Sequence, residues 1–426
     1  MMALAQELFP ICRSITGEGL RATLRAVQRR IPITLQEVPS GTQAFDRTVP
    51  DEWNITDAYV RDSAGRRVVD FKVSNLHVVN YSEPVRTRLS LAELKKRLFS
   101  LPEHPDWVPY RTSYYDRSWG FCLSQRQLET LQDREYEAVI ESTLAPGSLT
   151  YGELLLTGET SDEILISCHC CHPSLANDNL SGIALATELA RFLGQRRHRY
   201  SYRFLFLPGT IGSITWLSRN EQNVSRIRHG LVVACVGDPG PLHYKKSRRG
   251  DAEIDRAVVH VLKHSGKEHR VLEFSPYGYD ERQYCSPGFD LPVGSLTRTP
   301  HGRYAQYHTS ADDLSLLRPE ALADSLETYL AVLRVLEANL RYRSTNPKGE
   351  PQLGKRGLYR SIGGLPDPER QAFAMLWVLN LSDGSNDLLS IAERSGLPFE
   401  LIHDAATRLT EHRLLRRETS PLDSVR

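Results

Sequence analysis

The residues most able to do chemistry form a polar cluster over residues 169–182. It reads HCCHPSLANDNLSG and follows a continuous apolar run at residues 163–168. The run predicts a buried strand, so His169 would stand at a strand end and Asp178 at the start of the next helix. Side chains at those two places project into one crevice, and imidazole and carboxylate are both zinc ligands. A lone histidine would be read as structural, but its pairing with Asp178 favours a metal site.

A second polar cluster, YHTSAD at residues 307–312, lies in a loop that leads into a long predicted helix. His308 is a candidate third ligand, because a metal-binding site of this kind uses about three protein ligands plus water. In the alternative interpretation, Ser310 or Asp312 caps the helix and His308 is a surface residue. The presence of the first cluster favours the interpretation of His308 as a metal ligand.

A basic loop, KKSRRG at residues 245–250, follows the third apolar run of the chain. Arg248 and Arg249 are predicted to bind a substrate carboxylate or phosphate, because a guanidinium group can donate two parallel hydrogen bonds to such groups. The alternative is an ordinary solvated loop.

The elements that must position these residues are three apolar runs, at residues 163–168, 202–207 and 231–236, separated by helix-like segments. Buried strands that alternate with helices predict an α/β fold, with a mostly parallel sheet flanked by helices. In such folds the site lies at the carboxyl ends of the strands. The loop after Cys168 is therefore the place to look for chemistry.

Patterns on either side of these runs divide the chain further. Short β-branched and aromatic runs with turn signals predict an inserted β-rich domain at 49–141. A linker composition near 345–365 precedes two helical patterns, which predict a winged-helix domain at 362–426. The remaining residues, 1–48 and 142–345, are assigned to one discontinuous catalytic domain.

Composition and charge restrict the class of protein. The chain has 426 residues, of which 40% are hydrophobic and 25% charged, in the range of soluble globular proteins. The net charge of +1 gives no electrostatic case for nucleic acid or a membrane surface as a partner. We expect a cytoplasmic protein, since no signal-like or membrane-spanning apolar stretch is found. Seven cysteines, three of them at 168–171, fit reduced thiols better than a disulfide framework.

The predicted winged-helix domain has an unfavourable charge for DNA binding. Residues 371–426 contain six Arg and no Lys against eight Asp and Glu, so their net charge is 6 − 8 = −2. A nucleic-acid footprint should be basic. We therefore expect this domain to bind a protein partner or to form a homo-oligomer.

The two polar clusters resemble those of the co-catalytic zinc aminopeptidases called M28, which carry a His-x-Asp after a strand, a bridging Asp-Asn before Ser-Gly, and a late Tyr-His-Thr. The whole chain more closely resembles a bacterial branch called aminopeptidase-like, often encoded near polysaccharide-biosynthesis genes, which has an inserted β domain and a C-terminal winged helix. The matching segments are 8–19 (LFPICRSITGEG), 51–55 (DEWNI), 109–115 (PYRTSYY), 119–122 (WGFC), 171–182 (CHPSLANDNLSG), 247–250 (SRRG) and 307–312 (YHTSAD).

The resemblance implies that His169, Asp178 and His308 bind metal. Three ligands suit one ion per chain, and two histidines with one carboxylate suit zinc best, with iron as the less favoured alternative. The predicted reaction is the hydrolysis of an amide bond in a small aminoacyl or peptide-like substrate, in which zinc polarises the carbonyl and activates water. Acyl transfer or amide formation on the same fold, and a retired enzyme that binds a ligand and signals through its winged helix, are the alternatives.

The sequence departs from the peptidase pattern at the acidic positions. Cys171 replaces the aspartate of His-x-Asp, and the glutamate pair aligns with Gly209 and Thr210, which removes the usual general base. A later metal-binding aspartate aligns with Ala234, and Asp238 is an uncertain substitute.

Another residue must then accept the proton. Glu281 is the nearest candidate in the sequence, although a solvated acidic pair is the alternative. Asp280 and Tyr307 are predicted to contact the substrate.

Overall fold

The strands position the site and are given first, for the residues that this computed structural model describes, 1–358 and 368–418. They are β1 (Thr34–Pro39), β2 (Gln43–Ala44), β3 (Arg47–Thr48), β4 (Glu52–Asp62), β5 (Arg67–Asp70), β6 (Val85–Ser90), β7 (Leu98–Phe99), β8 (Phe121–Cys122), β9 (Glu135–Ala145), β10 (Ser148–Leu156), β11 (Glu163–His169), β12 (Ser201–Leu207), β13 (Ile227–Val233), β14 (Leu242–Lys245), β15 (His269–Leu272), β16 (Val293–Thr297), β17 (Arg341–Ser344), β18 (Asp383–Asp387) and β19 (Leu415–Arg417).

The α-helices connect and flank these strands. They are α1 (Met2–Leu8), α2 (Glu18–Gln28), α3 (Leu91–Leu94), α4 (Gln125–Thr130), α5 (Gly182–Leu193), α6 (Ile211–Asn220), α7 (Glu253–His264), α8 (Glu281–Tyr284), α9 (Pro319–Ala338), α10 (Pro368–Leu381), α11 (Leu388–Ser395) and α12 (Phe399–Glu411).

The largest sheet has the order β1-β10-β12-β11-β13-β16-β14-β15. The four strands β12, β11, β13 and β16 are parallel, whereas β10 and β14 pair with them in the antiparallel sense. The three apolar runs of the sequence are the adjacent central strands β11, β12 and β13, and every residue of β11 is buried. The predicted α/β fold with a mostly parallel sheet is therefore confirmed.

The parallel strands bring distant parts of the sequence to one sheet edge. The strands β11, β12 and β13 end at His169, Leu207 and Val233. Parallel neighbours end on the same side, so the three loops that follow them meet there. The loop after β11 carries the first polar cluster, as the sequence predicted.

A four-stranded antiparallel sheet of order β5-β4-β9-β6 forms the β-rich insertion. Its long central pair, β4 and β9, runs from Glu52 opposite Ala145 to Asp62 opposite Tyr136, with one register shift between Ile55 and Asp57. The insertion has a hydrophobic core of its own, which includes Val60, Phe121 and Ile140.

The C-terminal helices α10, α11 and α12 accompany a small antiparallel sheet of order β18-β17-β19. Asp387 caps α11 by accepting a hydrogen bond from Ser390 N–H at 2.7 Å, and Gly396 ends it with a φ of 68°. Strand β17 lies within residues 142–345, which the sequence assigned to the catalytic domain, and so precedes the predicted start of the winged-helix domain. That predicted start at residue 362 and most of the predicted linker's second half lie outside the described residues.

The chain divides into two compact units. One comprises Met1–Gly250 and Glu268–Glu327, and it contains every residue predicted to bind metal or substrate. The other comprises Asp251–Lys267 and Thr328–Arg426. Within the described ranges, no helix is both long and apolar enough to cross a bilayer.

Candidate metal centre

The Asp178 carboxylate lies among three imidazole rings. Its Oδ1 is 2.9 Å from His169 Nε2, and its Oδ2 is 3.0 Å from His308 Nε2 and 3.8 Å from His172 Nε2. Asp178 is completely buried and His169 nearly so. The structure thus brings together the three residues predicted to bind metal, although nine residues separate the first pair and 130 the second.

His172 is the group that sequence reasoning did not assign. The donor atoms of His169, His172 and Asp178 all lie within 4.8 Å of one another, which is close enough to share one ion. The signal for His172 was its place three residues after His169, in the loop that leaves the same strand. Only the conformation of that loop shows that the ring turns back towards Asp178.

Asn179 fixes the backbone beside Asp178. Its side-chain Nδ2 donates to the carbonyl oxygens of His169 (3.0 Å) and Val233 (3.1 Å), and its Oδ1 accepts from Cys235 N–H at 3.2 Å. The asparagine therefore joins the ends of β11 and β13. A Cβ at residue 182 would lie 2.3 Å from Asn179 Oδ1, so this packing explains the glycine at that position.

Asn177 and two buried acids hold the other side of the same turn. Asp312 accepts from the N–H groups of Asn177 (2.6 Å) and Asp178 (3.1 Å). Asp238 accepts from Asn177 Nδ2 at 3.0 Å, and its oxygens also accept bonds from Gly240 N–H and from Thr299. With both oxygens engaged in this way, Asp238 supports the loop and is a weak candidate for the missing metal ligand.

His308 is held by the β-rich insertion. Its backbone has a φ of 57°, an uncommon value for a residue other than glycine. Its carbonyl oxygen accepts from Tyr110 N–H at 2.8 Å, and Ser310 and Val108 exchange two hydrogen bonds one step further along. The insertion therefore fixes the loop that carries His308.

Two tyrosines stack on the imidazoles. The Tyr279 ring lies 5.2 Å from that of His169 with an angle of 18° between planes, and the Tyr307 ring lies 3.9 Å from that of His308 at 14°. Stacking of this kind restricts ring rotation, so it helps to aim each Nε2 at Asp178. Tyr307, predicted to contact substrate, is thus placed directly beside His308.

Burial and charge set the protonation of the centre. Burial lowers the pKa of His172 to about 3, with the neighbouring His169 and His308 contributing and Asp178 opposing. Burial favours neutral Asp178, but the surrounding histidines, His172 foremost, hold the pKa of its carboxyl well below the usual range. At neutral pH the centre therefore presents an ionised carboxylate and a neutral imidazole, the forms that bind metal.

The residues present fit a zinc ion. No Lys or Arg in residues 1–358 and 368–418 forms an ion pair with Asp178. The side chains that pair with its carboxylate are all histidines. An isolated buried carboxylate is costly, and a cation held by imidazoles and that carboxylate would neutralise it. Two or three nitrogen donors with one carboxylate are a donor set that suits zinc.

Gly209 faces the centre from the end of β12. A Cβ at this position would lie 3.5 Å from Cys171 Sγ and 3.6 Å from His169 Cβ, both ordinary contacts. Gly209 N–H donates to Cys171 Sγ at 3.2 Å. Burial raises the pKa of Cys171 to about 12, so this thiol stays neutral and does not replace the carboxylate of the peptidase motif.

Asp280 and Glu281 occupy different surroundings. Asp280 Oδ1 accepts from Thr210 N–H (2.6 Å) and Ser213 Oγ (2.9 Å), so it reaches the turn that begins at Gly209. Glu281 is buried and its Oε1 accepts from Lys245 Nζ at 2.8 Å. The ion pair with Lys245 therefore occupies one of the two Glu281 oxygens.

Arg248 and Arg249 both pair with Asp290, at 2.8 and 3.2 Å, and remain nearly half exposed. Their guanidinium groups are held together by that one carboxylate, and the predicted anion-binding role stays a prediction. Within residues 1–358 and 368–418, no hydrogen bond or ion pair joins either guanidinium group to His169, Asp178 or His308.

Two family models match this chain, one after the other along the sequence. Residues 2–339 match the family described as Domain of unknown function (DUF4910), and residues 340–417 match the family described as winged helix-turn-helix. The second match includes β17, so it takes in a strand that the sequence analysis placed at the end of the catalytic domain.

Three known proteins show the extent of the similarity. A provisionally named polysaccharide biosynthesis protein with an aminopeptidase-like domain, from Clostridium acetobutylicum, is 54% identical over 97% of this chain and 95% of its own length. A crystal structure of a provisionally named peptidase from the same organism has 52% identity and a TM-score of 0.94, covering 98% of this chain and 96% of the other. A zinc aminopeptidase from Bacillus subtilis shares the fold, with 13% identity and a TM-score of 0.57 over 79% of this chain and 93% of the other.

Proposed function

The chain belongs to the family described as Domain of unknown function (DUF4910) and has an aminopeptidase-like fold, and on that premise we propose that it is a zinc-dependent hydrolase. Its substrate would be a small aminoacyl or peptide-like compound with an amide bond. The name of the Clostridium acetobutylicum relative supports a place in polysaccharide biosynthesis. One observation carries the proposal: a fully buried carboxylate at the carboxyl edge of the sheet is surrounded by three imidazoles.

The protein's own residues would hold the ion and keep the site shaped. His169, His172 and His308 would supply nitrogen ligands and Asp178 would supply oxygen. When bound, zinc would polarise the amide carbonyl and lower the pKa of a water molecule.

The stacked tyrosines would keep two of these imidazoles aimed at the ion. The Tyr110 ring lies edge-on 5.3 Å from His172 and 5.0 Å from His308, and covers the same centre from the insertion. Aromatic walls of this kind exclude water, which strengthens every electrostatic interaction inside.

Gly209 stands where a peptidase has its general base, and glycine has no side chain that could accept a proton. Another residue must therefore do so. We propose Asp280 as the first candidate. Its carboxylate accepts a hydrogen bond from Thr210 N–H, in the turn that in a peptidase would carry the glutamate. Burial raises the pKa of Asp280, although His169 opposes that effect. A carboxyl with a raised pKa is better matched to proton transfer near neutrality. Glu281, the residue predicted from the sequence, is the second candidate.

The proposal is tested by hydrolysis of a panel of aminoacyl-p-nitroanilides and short peptides. Protein stripped with a chelator should be inactive, and stoichiometric zinc should restore activity. Asp178→Ala protein with unchanged circular dichroism is the matched control. Activity that does not depend on zinc would contradict the proposal, and zinc binding without any turnover would favour the retired enzyme.

We propose that the C-terminal module contacts protein and not DNA. In the helix of this module that would enter a DNA groove, α12, the exposed side chains include Glu400, Asp404 and Glu411. Carboxylates there would be repelled by phosphate groups. Gel-shift assays with mixed-sequence duplex DNA at low salt should show no complex, and a complex that salt dissociates would contradict this assignment.

A further inference from the structure

Arg13 is an arginine without solvent contact, in the N-terminal segment between α1 and α2. Its exposed fraction is zero. Its Nε donates to the carbonyl oxygen of His172 at 2.6 Å, and its Nη2 donates to that of Pro173 at 2.7 Å. Its Nη1 donates to the carbonyl oxygen of Leu8 at 2.6 Å and lies 3.4 Å from Thr23 Oγ1. One guanidinium group therefore joins both N-terminal helices to the loop that carries His172.

This guanidinium has an unusual set of partners. Its hydrogen bonds go to carbonyl and hydroxyl oxygens, and no Asp or Glu among the described residues forms an ion pair with it. Burial lowers the pKa of Arg13 to about 10, so the side chain still carries its charge at neutral pH. A buried charge without a counter-charge is costly. The planar guanidinium holds its N–H donors in fixed directions, so it can bind two consecutive carbonyl oxygens at once.

The segment around Arg13 is itself firmly seated. A Cβ at Gly19 would lie 1.9 Å from the carbonyl oxygen of Cys12, so the first turn of α2 packs directly on the backbone beside Arg13. Asn80 Nδ2 donates to the Arg13 carbonyl oxygen at 2.8 Å, and Asn80 Oδ1 accepts from Ser14 Oγ at 2.6 Å. The guanidinium thus projects from a fixed support and can transmit that rigidity to residues 172 and 173.

We infer that Arg13 is a positioning residue of the metal centre: by clamping the carbonyl oxygens of His172 and Pro173, it aims the His172 imidazole at Asp178. The inference rests on the proposed zinc site. It assigns to the N-terminal segment a part in metal affinity, although Arg13 contacts no metal ligand side chain. Residues that orient ligands in this way typically change metal affinity 10- to 100-fold when they are replaced.

The test measures zinc dissociation constants of the full chain by competition with a chromophoric chelator. Arg13→Met removes the charge and the donors, and Arg13→Lys keeps the charge but loses the fork. Both should weaken zinc binding about 10- to 100-fold. Arg29→Met is the matched control, because Arg29 is exposed and pairs with Glu7 in the same N-terminal segment. It should bind zinc as the wild type does.

A double-substitution cycle separates positioning from a general loss of stability. His172→Ala should weaken zinc binding, and adding Arg13→Lys to it should weaken binding no further, because the group that Arg13 positions is gone. Melting temperatures of the zinc-free proteins record the structural contribution of Arg13 independently. Wild-type zinc affinity in a folded Arg13 variant, or fully multiplicative effects in the double variant, would overturn the inference.

A measurement on the wild type covers the case in which no Arg13 variant folds. Zinc should slow amide hydrogen exchange in peptides spanning residues 8–16 as well as 168–178, whereas residues 135–145 in the insertion should not change. Protection confined to 168–178 would overturn the inference. Wild-type protein that binds no zinc at all would refute the proposed function itself, and this inference with it.

Discussion

The backbone N–H of Tyr110 donates a hydrogen bond of 2.8 Å to the carbonyl oxygen of His308, while the two rings lie 5.0 Å apart. The β-rich insertion is therefore part of the wall of the candidate metal centre and not a separate attachment. Because Tyr110 also lies against the His172 ring, one residue of the insertion touches two of the candidate ligands.

Zinc content is the first prediction. Purified protein should bind one zinc per chain, and Asp178→Asn should weaken binding at least ~100-fold, because the negative charge of the central ligand and one of its two oxygens are lost. Zinc at a hundred times the wild-type dissociation constant should stabilise the wild type by about 2.7 kcal/mol and the variant by no more than about 0.4 kcal/mol. Elemental analysis and thermal unfolding check both points. Two tightly bound ions per chain would contradict the stoichiometry.

Gly209→Glu tests the missing general base. The Cβ contacts are ordinary and Gly209 lies outside the left-handed region of φ, so we expect a folded protein. A carboxylate beside His169 should raise aminoacyl-anilide hydrolysis, since general-base assistance is typically worth about 10²- to 10⁴-fold. Gly209→Gln, of the same size and without the base, is the control. A zinc-loaded Gly209→Glu protein no faster than Gly209→Gln would show that the site serves other chemistry.

Asp280 and Glu281 are separated by a pair of isosteric changes. Asp280→Asn should lower kcat about 10²-fold or more if this carboxylate accepts the proton. Glu281→Gln should mainly reduce stability, because Lys245 loses its buried partner. Rates and melting temperatures of both zinc-loaded variants decide between them. The opposite pattern, with the rate falling only in Glu281→Gln, would restore Glu281 as the base.

Truncation tests the independence of the C-terminal module. All candidate ligands precede residue 309, so a chain that ends after residue 339 should bind zinc with wild-type affinity. Its oligomeric state is the property most open to change. Metal analysis and light scattering on the truncated protein check this expectation, and a folded truncation without zinc would contradict it.

The pair of Arg21 and Glu52 predicts a pH dependence of stability. Hydrogen bonds and charge from Arg21 lower the pKa of Glu52 to about 2, against opposing desolvation. A lowered folded-state pKa means that the stabilisation is present above the ordinary glutamate pKa of about 4.3 and is lost as pH falls towards 2. After allowance for solvent screening, Glu52→Gln should cost about 1 kcal/mol at pH 7. Urea unfolding at pH 7 and pH 3 should show that difference shrinking; a constant difference would contradict the assignment.

The sequence predicted the central sheet well because its signals are local. Each of β11, β12 and β13 is a continuous apolar run, and the polar cluster follows β11 directly. Asp178 lies nine residues after His169, so the pairing of those two needed only a strand end and a helix start.

The rest of the site depends on contacts that no local pattern encodes. The His172 loop is held by Arg13, which lies 159 residues earlier in the chain. The ion pair that occupies a Glu281 oxygen comes from Lys245, 36 residues away. Strand β17 was missed because a short polar run becomes a strand only when β18 and β19 supply its partners. Tertiary packing, and not propensity, decides these features.

Positive φ angles occur at Thr210 (67°), Cys235 (49°) and His308 (57°), in three separate loops beside the candidate metal centre. Conformations of this kind each cost of the order of 1–3 kcal/mol and persist where the surrounding structure enforces them. Laboratory evolution for heat resistance alone should therefore accumulate glycine or asparagine at these positions. Such substitutions would relieve the backbone strain, and they would also make the site less rigid. If the proposed hydrolase activity holds, heat-resistant descendants of this protein should lose turnover before they lose their fold.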